Sequence, residues 1–181
     1  MGKVPGVFFL NRYNYAQDLR LSIRGFGARS SFGIRGVKII VDGIPETLPD
    51  GQGSIDGVDI GSIYKINVIR GPSSSLYGNA SGGAILIETE RGSKLPFIEL
   101  RNTYGDFNLN KQQLKIGGET ANLNYLLNIS NTSVDGYREN SEFENKQFNG
   151  RFEYSLSGKS SIVSTIHHTD QPLANDPGGI T

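Results

Sequence analysis

The sequence predicts an α+β region, a small mixed sheet with short helices, followed by antiparallel strands of an incomplete transmembrane β-barrel. Three observations carry that expectation. The first half holds short apolar runs separated by Gly- and Pro-rich turns, among them Val37–Val41, Ile66–Ile69 and Ala84–Ile87. The second half holds longer stretches in which apolar and polar residues alternate with period two. No apolar run approaches the ~20 residues of a membrane helix, so any crossing would be made by strands.

Composition narrows the class further. A chain of 181 residues can form one domain or two small ones. Cysteine is absent, which excludes a disulfide-stapled secreted fold. The formal net charge of zero argues against a general nucleic-acid binder. Residues 1–94 carry 11 Lys+Arg and 8 Asp+Glu, a net +3, and residues 95–181 carry 7 and 10, a net −3. Texture and charge thus both change near residue 94, and the expected domains are 1–94 and 95–181. Met1–Gly6 lacks the apolar stretch and cleavage site of a signal peptide.

In chain order, Val4–Tyr15 gives no clear assignment. Leu19–Arg24 alternates as a strand with one buried face should, and ends in Arg24-Gly25. A small polar loop, Gly27–Gly33, leads to the strand Val37–Val41. Asp42-Gly43 closes that strand with a hairpin-type turn, because glycine supplies positive φ without steric cost. Pro45–Gly53 is an irregular loop, and Val58–Ile63 reads as a short helix. Ile66–Ile69 reads as a buried strand ended by Arg70-Gly71; Pro72 starts a turn or single helical turn over Ser73–Leu76. Gly78, Gly82 and Gly83 allow a sharp, close-packed return into the strand Ala84–Ile87.

That stretch resembles the plug-domain signature of TonB-dependent outer-membrane receptors. The landmarks are Arg70-Gly71-Pro72, Leu76-Tyr77-Gly78 and Gly82-Gly83-Ala84-Ile85, in that order. Two earlier ones agree, Ile23-Arg24-Gly25-Phe26 and Val41-Asp42-Gly43-Ile44-Pro45. The resemblance implies a plug over residues 1–94 and the first barrel strands, about five, over 95–181. It further implies that a signal peptide, the TonB box and the plug's first strand precede these residues and that most of the barrel follows them.

The barrel half supports this on its own pattern. Ile98, Leu100 and Tyr104 share one strand face, opposite Glu99, Arg101 and Thr103. Leu123, Tyr125, Leu127 and Ile129 oppose Asn124, Asn128 and Ser130. Phe148, Phe152, Tyr154 and Leu156 oppose Gln147, Asn149, Arg151, Glu153 and Ser155. Leu114–Ile116 and Ile162–His168 are less regular strands. A soluble or surface-attached β-rich binding module alternates equally well. Charged pairs such as Arg151 and Glu153 on the polar face, and links that alternate short and long, favour the barrel.

No catalytic set is visible, so an enzyme is not expected. Ser73–Ser75 lacks the Gly-x-Ser-x-Gly elbow, and Arg70–Glu88 lacks a phosphate-loop lysine. His167 and His168 are adjacent on a strand, point to opposite faces and cannot chelate together. Asp50, Asp56 and Asp59 lack calcium-loop spacing and read as solvated loop and helix-start residues. No cofactor or resident metal is expected.

The resemblance implies TonB-dependent uptake of a scarce solute across the bacterial outer membrane, with an iron–siderophore complex as the first choice. The expected partners are TonB, the solute and outer-membrane lipid. Two plug loops are expected to meet the solute: Arg29, Ser30, Ser31 and Phe32 in one, Leu48, Asp50 and Gln52 in the other. Arg29 offers a fixed positive charge and Phe32 a flat apolar surface, while Asp50 and Gln52 offer hydrogen-bonding ends. Arg24 and Arg70, each ending a strand before glycine, are expected to be structural and to pair with carboxylates of the barrel wall.

Overall fold

The computed structural model describes residues 4–10, 13–30 and 33–178. They divide into two compact units. One contains the described residues of Met1–Asp56 and Lys65–Glu88, with Gly178; the other contains Gly57–Tyr64 and Thr89–Pro177.

The first unit opens with β1 (Val7–Leu10), which pairs antiparallel with β2 (Arg20–Ile23) in the register Val7 to Ile23. Leu21, Ser22 and Ile23 are all buried, so β2 is covered on both faces rather than one. Arg24 and Gly25 close the strand on Phe26 with φ of 49° and 87°. Ile23 and Phe26 exchange both backbone hydrogen bonds at 3.0 Å. Asp42 and Gly43 repeat this geometry with φ of 49° and 85°. Both are two-residue turns with positive φ at each central position, the form whose twist matches the strands it joins.

The central sheet has four strands in the order β5–β4–β8–β7. The short β3 (Ile34–Arg35) precedes β4 (Val37–Val41), which turns through Asp42-Gly43 into β5 (Ile44–Pro45). Next comes β6 (Gln52–Gly53), paired with β3 outside this sheet. Ile60–Ser62 forms a single 3-10 turn in place of the expected helix, and β7 (Ile63–Arg70) leads from it. The helical turn α1 (Ser74–Tyr77) then gives way to β8 (Gly83–Thr89), which pairs parallel with β4, Val37 opposite Gly83 and Val41 opposite Ile87. Val37, Ile39, Val41, Ala84, Ile85 and Ile87 make the core of this sheet, joined by the buried Leu21, Ile23 and Ile34. β7, expected to be buried, is half-buried, because it is the edge strand.

At Gly83 the chain packs tightly against the Ile69 backbone. Its φ is +135°, and an added Cβ would collide with the Ile69 carbonyl oxygen. Neither atom can yield, since both belong to paired backbone. Gly83→Ala is expected to destabilise this unit by at least ~2 kcal/mol, as a denaturant midpoint measures, the sum of strained φ and overpacking. A change within ~0.5 kcal/mol would contradict that account.

The second unit is a five-stranded antiparallel meander: β9 (Phe97–Tyr104), β10 (Asn110–Thr120), β11 (Leu123–Val134), β12 (Phe143–Ser157) and β13 (Ser160–Ala174). Each strand pairs only with its neighbours in sequence. β10 and β11 are joined through Ala121 and Asn122, and β12 and β13 through Gly158 and Lys159. At the other end, residues 105–109 and 135–142 make the longer links. The expected alternation of short and long connections is present, and the first long link is short only by comparison with the second.

Candidate functional site

The meander is built inside out. Its apolar face is bare: Ile98 is 72% exposed and Leu100 77%, and Ile129, Tyr154, Leu156 and Ile166 are exposed as well. Register lines these residues into rows, Leu100–Leu114–Ile129–Phe148 and Ile98–Ile116–Leu127. From Phe148 to Leu156 the band runs roughly 27 Å along the strand, which a tilt of about 40° reduces to roughly 21 Å. The polar face, in contrast, is covered: Asn128 is 0% exposed, and Gln113, Lys115, Ser130, Gln147, Asn149 and Arg151 are buried. A soluble sandwich buries the opposite face.

Gly57–Tyr64 and Thr89–Gly92 cover the polar face, and the inward positions of β10 read them at every second residue. Lys111 Nζ donates to Asp59 Oδ2 at 2.8 Å. The Gln113 amide occupies the space a Cβ on Gly61 would need. Lys115 Nζ donates to Glu90 Oε2 at 2.6 Å, with Glu99 at 3.9 Å. Ser62 O accepts from Glu90 N at 2.8 Å, which ties the two covering segments together. On β11, Asn124 brackets Gly92, accepting from its N–H at 3.0 Å and donating to its carbonyl at 2.7 Å. On β12, Asn149 accepts from Asp59 N at 2.9 Å and donates to Gly57 O at 2.8 Å.

Asp59 is the centre of this arrangement and is 1% exposed. It caps the 3-10 turn through Gly61 N, accepting at 2.6 Å, and also accepts from Ser130 Oγ and Lys111. The sequence identified its helix-start role; the expectation that it is solvated is corrected. Burial pushes its carboxyl up, but the hydrogen bonds from Lys111 and Ser130, the Lys111 charge and the Gly61 N–H outweigh burial and hold it below the usual carboxylate range.

A second cluster lies at the long-link end. The Phe107 and Tyr137 rings are 6.1 Å apart at 57°, and the Arg138 guanidinium lies 5.6 Å from the Tyr137 ring centre. The loops are braced by Asp135 N donating to Phe107 O at 3.0 Å, and Asn108 to Asp135 at 2.6 Å. Phe107 holds a φ of 56° with its ring exposed. Isolated aromatic residues in two separate links gave no sequence signal; only the pairing of links joins them.

The described residues of both expected solute loops belong to the first unit. The pairing of β3 with β6 brings Gly33 beside Gln52, within 3.1 Å of its Nε2 for an added Cβ. Arg29 and Leu48 are exposed, while Ser30 is buried and donates its N–H to Gly27 O at 3.1 Å. Ser31 and Phe32 lie outside the described residues. Arg35 engages the second loop, donating to Gln52 Oε1 at 3.1 Å and lying 3.8 Å from Asp50. Arg24 is exposed, and its N–H donates to Gly6 O at 2.9 Å. Arg70, also exposed, donates to Pro5 O at 3.0 Å. His167 and His168 do face opposite ways: His167 is half-buried beside Asn149, and His168 is in register with Phe148 on the bare face.

A compact α+β domain preceding a sheet with a buried polar face and a bare apolar face is the build of a plugged outer-membrane β-barrel. Comparison with known proteins agrees. Residues 1–85 match the family described as TonB-dependent Receptor Plug Domain. The copper transporter OprC superimposes with a TM-score of 0.74 at 18% identity, over 98% of this chain and 28% of that one. The ferric yersiniabactin uptake receptor FyuA from Yersinia pestis gives 0.70 at 17%, over 92% and 28%. The siderophore receptor PirA from Acinetobacter baumannii gives 0.65 at 20%, over 93% and 28%. The chain thus spans about 28% of the length of each of these proteins. Residues 1–85 thus match the plug domain of TonB-dependent receptors, and the chain as a whole has the fold that these outer-membrane proteins show over their plug and first barrel strands.

Proposed function

We propose that the receptor containing this chain imports a scarce solute, an iron–siderophore complex by first choice, with energy delivered by TonB through a segment ahead of the plug. In this reading residues 1–94 serve as plug and 95–181 as the first barrel strands. The observation that carries it is the plug-domain match followed by a sheet with one bare apolar face, the exposed Arg29 lying in the plug region. PirA and FyuA are described as a siderophore receptor and a ferric yersiniabactin uptake receptor, which supports iron; OprC is described as a copper transporter, so the fold itself does not select the metal.

Arg29, Ser30, Ser31 and Phe32, with Leu48, Asp50 and Gln52, are proposed to meet the solute. Arg29 would provide the charge for an anionic chelate. Because Arg35 already engages Asp50 and Gln52, those two would shape the second loop more than they grip a ligand. Arg24 and Arg70 are proposed to hold the plug against barrel carboxylates. Cells lacking the full-length receptor, grown under iron limitation, should lose uptake of one class of ferric chelate among catecholate, hydroxamate and carboxylate types. Binding of that chelate should weaken at least tenfold, ~1.4 kcal/mol, in an Arg29→Ala, Phe32→Ala variant. Unchanged binding by a folded variant would move the site to the barrel loops. Undiminished uptake of all three classes would remove iron as the cargo.

A further inference from the structure

Of the two segments that cover the polar face, Thr89–Gly92 is held by side chains that each have a second acceptor on the strand wall itself. Lys115 is buried, and its Nζ donates to Glu90 Oε2 at 2.6 Å. Glu99 stands directly opposite Lys115 in the register of β9 and β10, with its Oε2 3.9 Å from the same Nζ. Arg101 donates to Glu99 Oε1 at 2.7 Å, which steadies the carboxylate and leaves Oε2 for Lys115. Asn124 repeats the arrangement. Its Nδ2 donates to Gly92 O at 2.7 Å and to Glu119 Oε2 at 3.0 Å, one hydrogen to each. Gly57–Tyr64 is held differently: among the described residues the one carboxylate paired with Lys111 is Asp59, which belongs to the covering segment.

We propose that Lys115 is an exchange latch: its ammonium pairs with Glu90 while Thr89–Gly92 lies on the wall, and passes to Glu99 when that segment lifts away. Taking one carboxylate from a buried lysine strands the charge, and that cost keeps such contacts closed. Here the Nζ has to move only about 1 Å to come within hydrogen-bond reach of Glu99 Oε2. Asn124 likewise keeps Glu119 when Gly92 departs.

The loss on lifting is then confined to three contacts. They are the bond from Glu90 N to Ser62 O, the bond from Gly92 N to Asn124 Oδ1, and the packing of Gly92 on the backbone of Gly118 and Tyr125. Lifting Gly57–Tyr64 would instead strand Lys111, so that segment stays. The wall carries one fixed attachment and one exchangeable one. A part for this exchange in opening a path for solute rests on the import activity proposed above, whereas the exchange itself needs no solute.

The test is hydrogen exchange of the full-length receptor in detergent, read at the Glu90 and Gly92 amides. Glu99→Gln removes the carboxylate that receives Lys115 in the lifted form, so both amides should become about tenfold more protected. If Glu99 merely helped to hold Lys115 and Glu90 in place, the change would have the opposite sign. Glu90→Gln should lower protection about tenfold and leave the urea midpoint of the receptor nearly unchanged, because Glu99 takes the charge. Combining the two should lower the midpoint by more than the single changes add up to, since Lys115 then has neither partner. Gly92→Ala sets a methyl group against the paired backbone of Gly118 and Tyr125 and forces the lifted form. Its crystal structure should place Lys115 Nζ about 3 Å from Glu99 Oε2. Protection unchanged or lowered in Glu99→Gln, additive midpoints in the double variant, or Lys115 still on Glu90 in Gly92→Ala would each overturn the proposal. Should Gly92→Ala fail to fold, the exchange measurement on Glu99→Gln decides by itself.

Discussion

Asp59→Ala in the full-length receptor is expected to cost about 3–5 kcal/mol, the range for removing one partner of a buried ion pair. The reason is what stays behind. Lys111, whose side chain is 24% exposed, would lose its carboxylate, while Ser130 Oγ and Gly61 N–H would lose their acceptor. Adding Lys111→Met should recover part of the loss, since the uncompensated charge is then gone. Thermal unfolding and limited proteolysis at Gly57–Tyr64 measure both variants. A loss below ~1 kcal/mol would mean the pair behaves as a solvated surface pair. The pH dependence follows from the same bonds. A carboxyl whose folded value lies below its unfolded one contributes stability that is fully present above the unfolded value, about 3.9, and is lost as pH falls through the folded value. The Asp59 contribution should therefore be constant at neutral pH and decline only in strong acid.

The second large effect belongs to the bare face. Ile98→Arg is expected to destabilise the membrane-inserted receptor by about 2–4 kcal/mol, because Ile98 lies in the row Ile98–Ile116–Leu127 within the apolar band. Gln112→Arg, on the same face but in the polar row Asn102–Gln112–Asn131 nearer the long links, should cost about 0–1 kcal/mol. Folding into lipid vesicles, followed through urea titration, separates the two. In water, arginine at a position 72% exposed would be nearly neutral, within ~0.5 kcal/mol. Equal and small effects of both variants would return the meander to a soluble sheet.

Much of this was legible in the chain because strand period and turn chemistry are local. Dyad alternation assigned Ile98, Leu127 and Phe152 to one face and Asn128, Asn149 and Arg151 to the other, and the two faces hold in the structure. Asp42-Gly43 specified its turn because its positive φ values are a property of two residues. Where short-range rules were stretched to burial they failed. Leu19–Arg24 alternates in sequence, yet β2 is buried on both faces, since burial depends on what else the chain lays over a strand.

The sequence by itself determined the strand faces, the glycine-dependent turns and the ordered landmarks of a plug, all encoded within a few residues of each other. Only the tertiary structure decided the partners of Asp59, which lie 52 residues away at Lys111, 71 at Ser130 and 90 at Asn149. It likewise brought Phe107 to Tyr137 and set His167 beside Asn149. An aspartate before a helical turn reads as solvated because composition around it carries no record of the strands that later close over it. Pairing register, which sets those strands side by side, is a property of the folded sheet, and with it comes the difference between a loop carboxylate and a buried anchor.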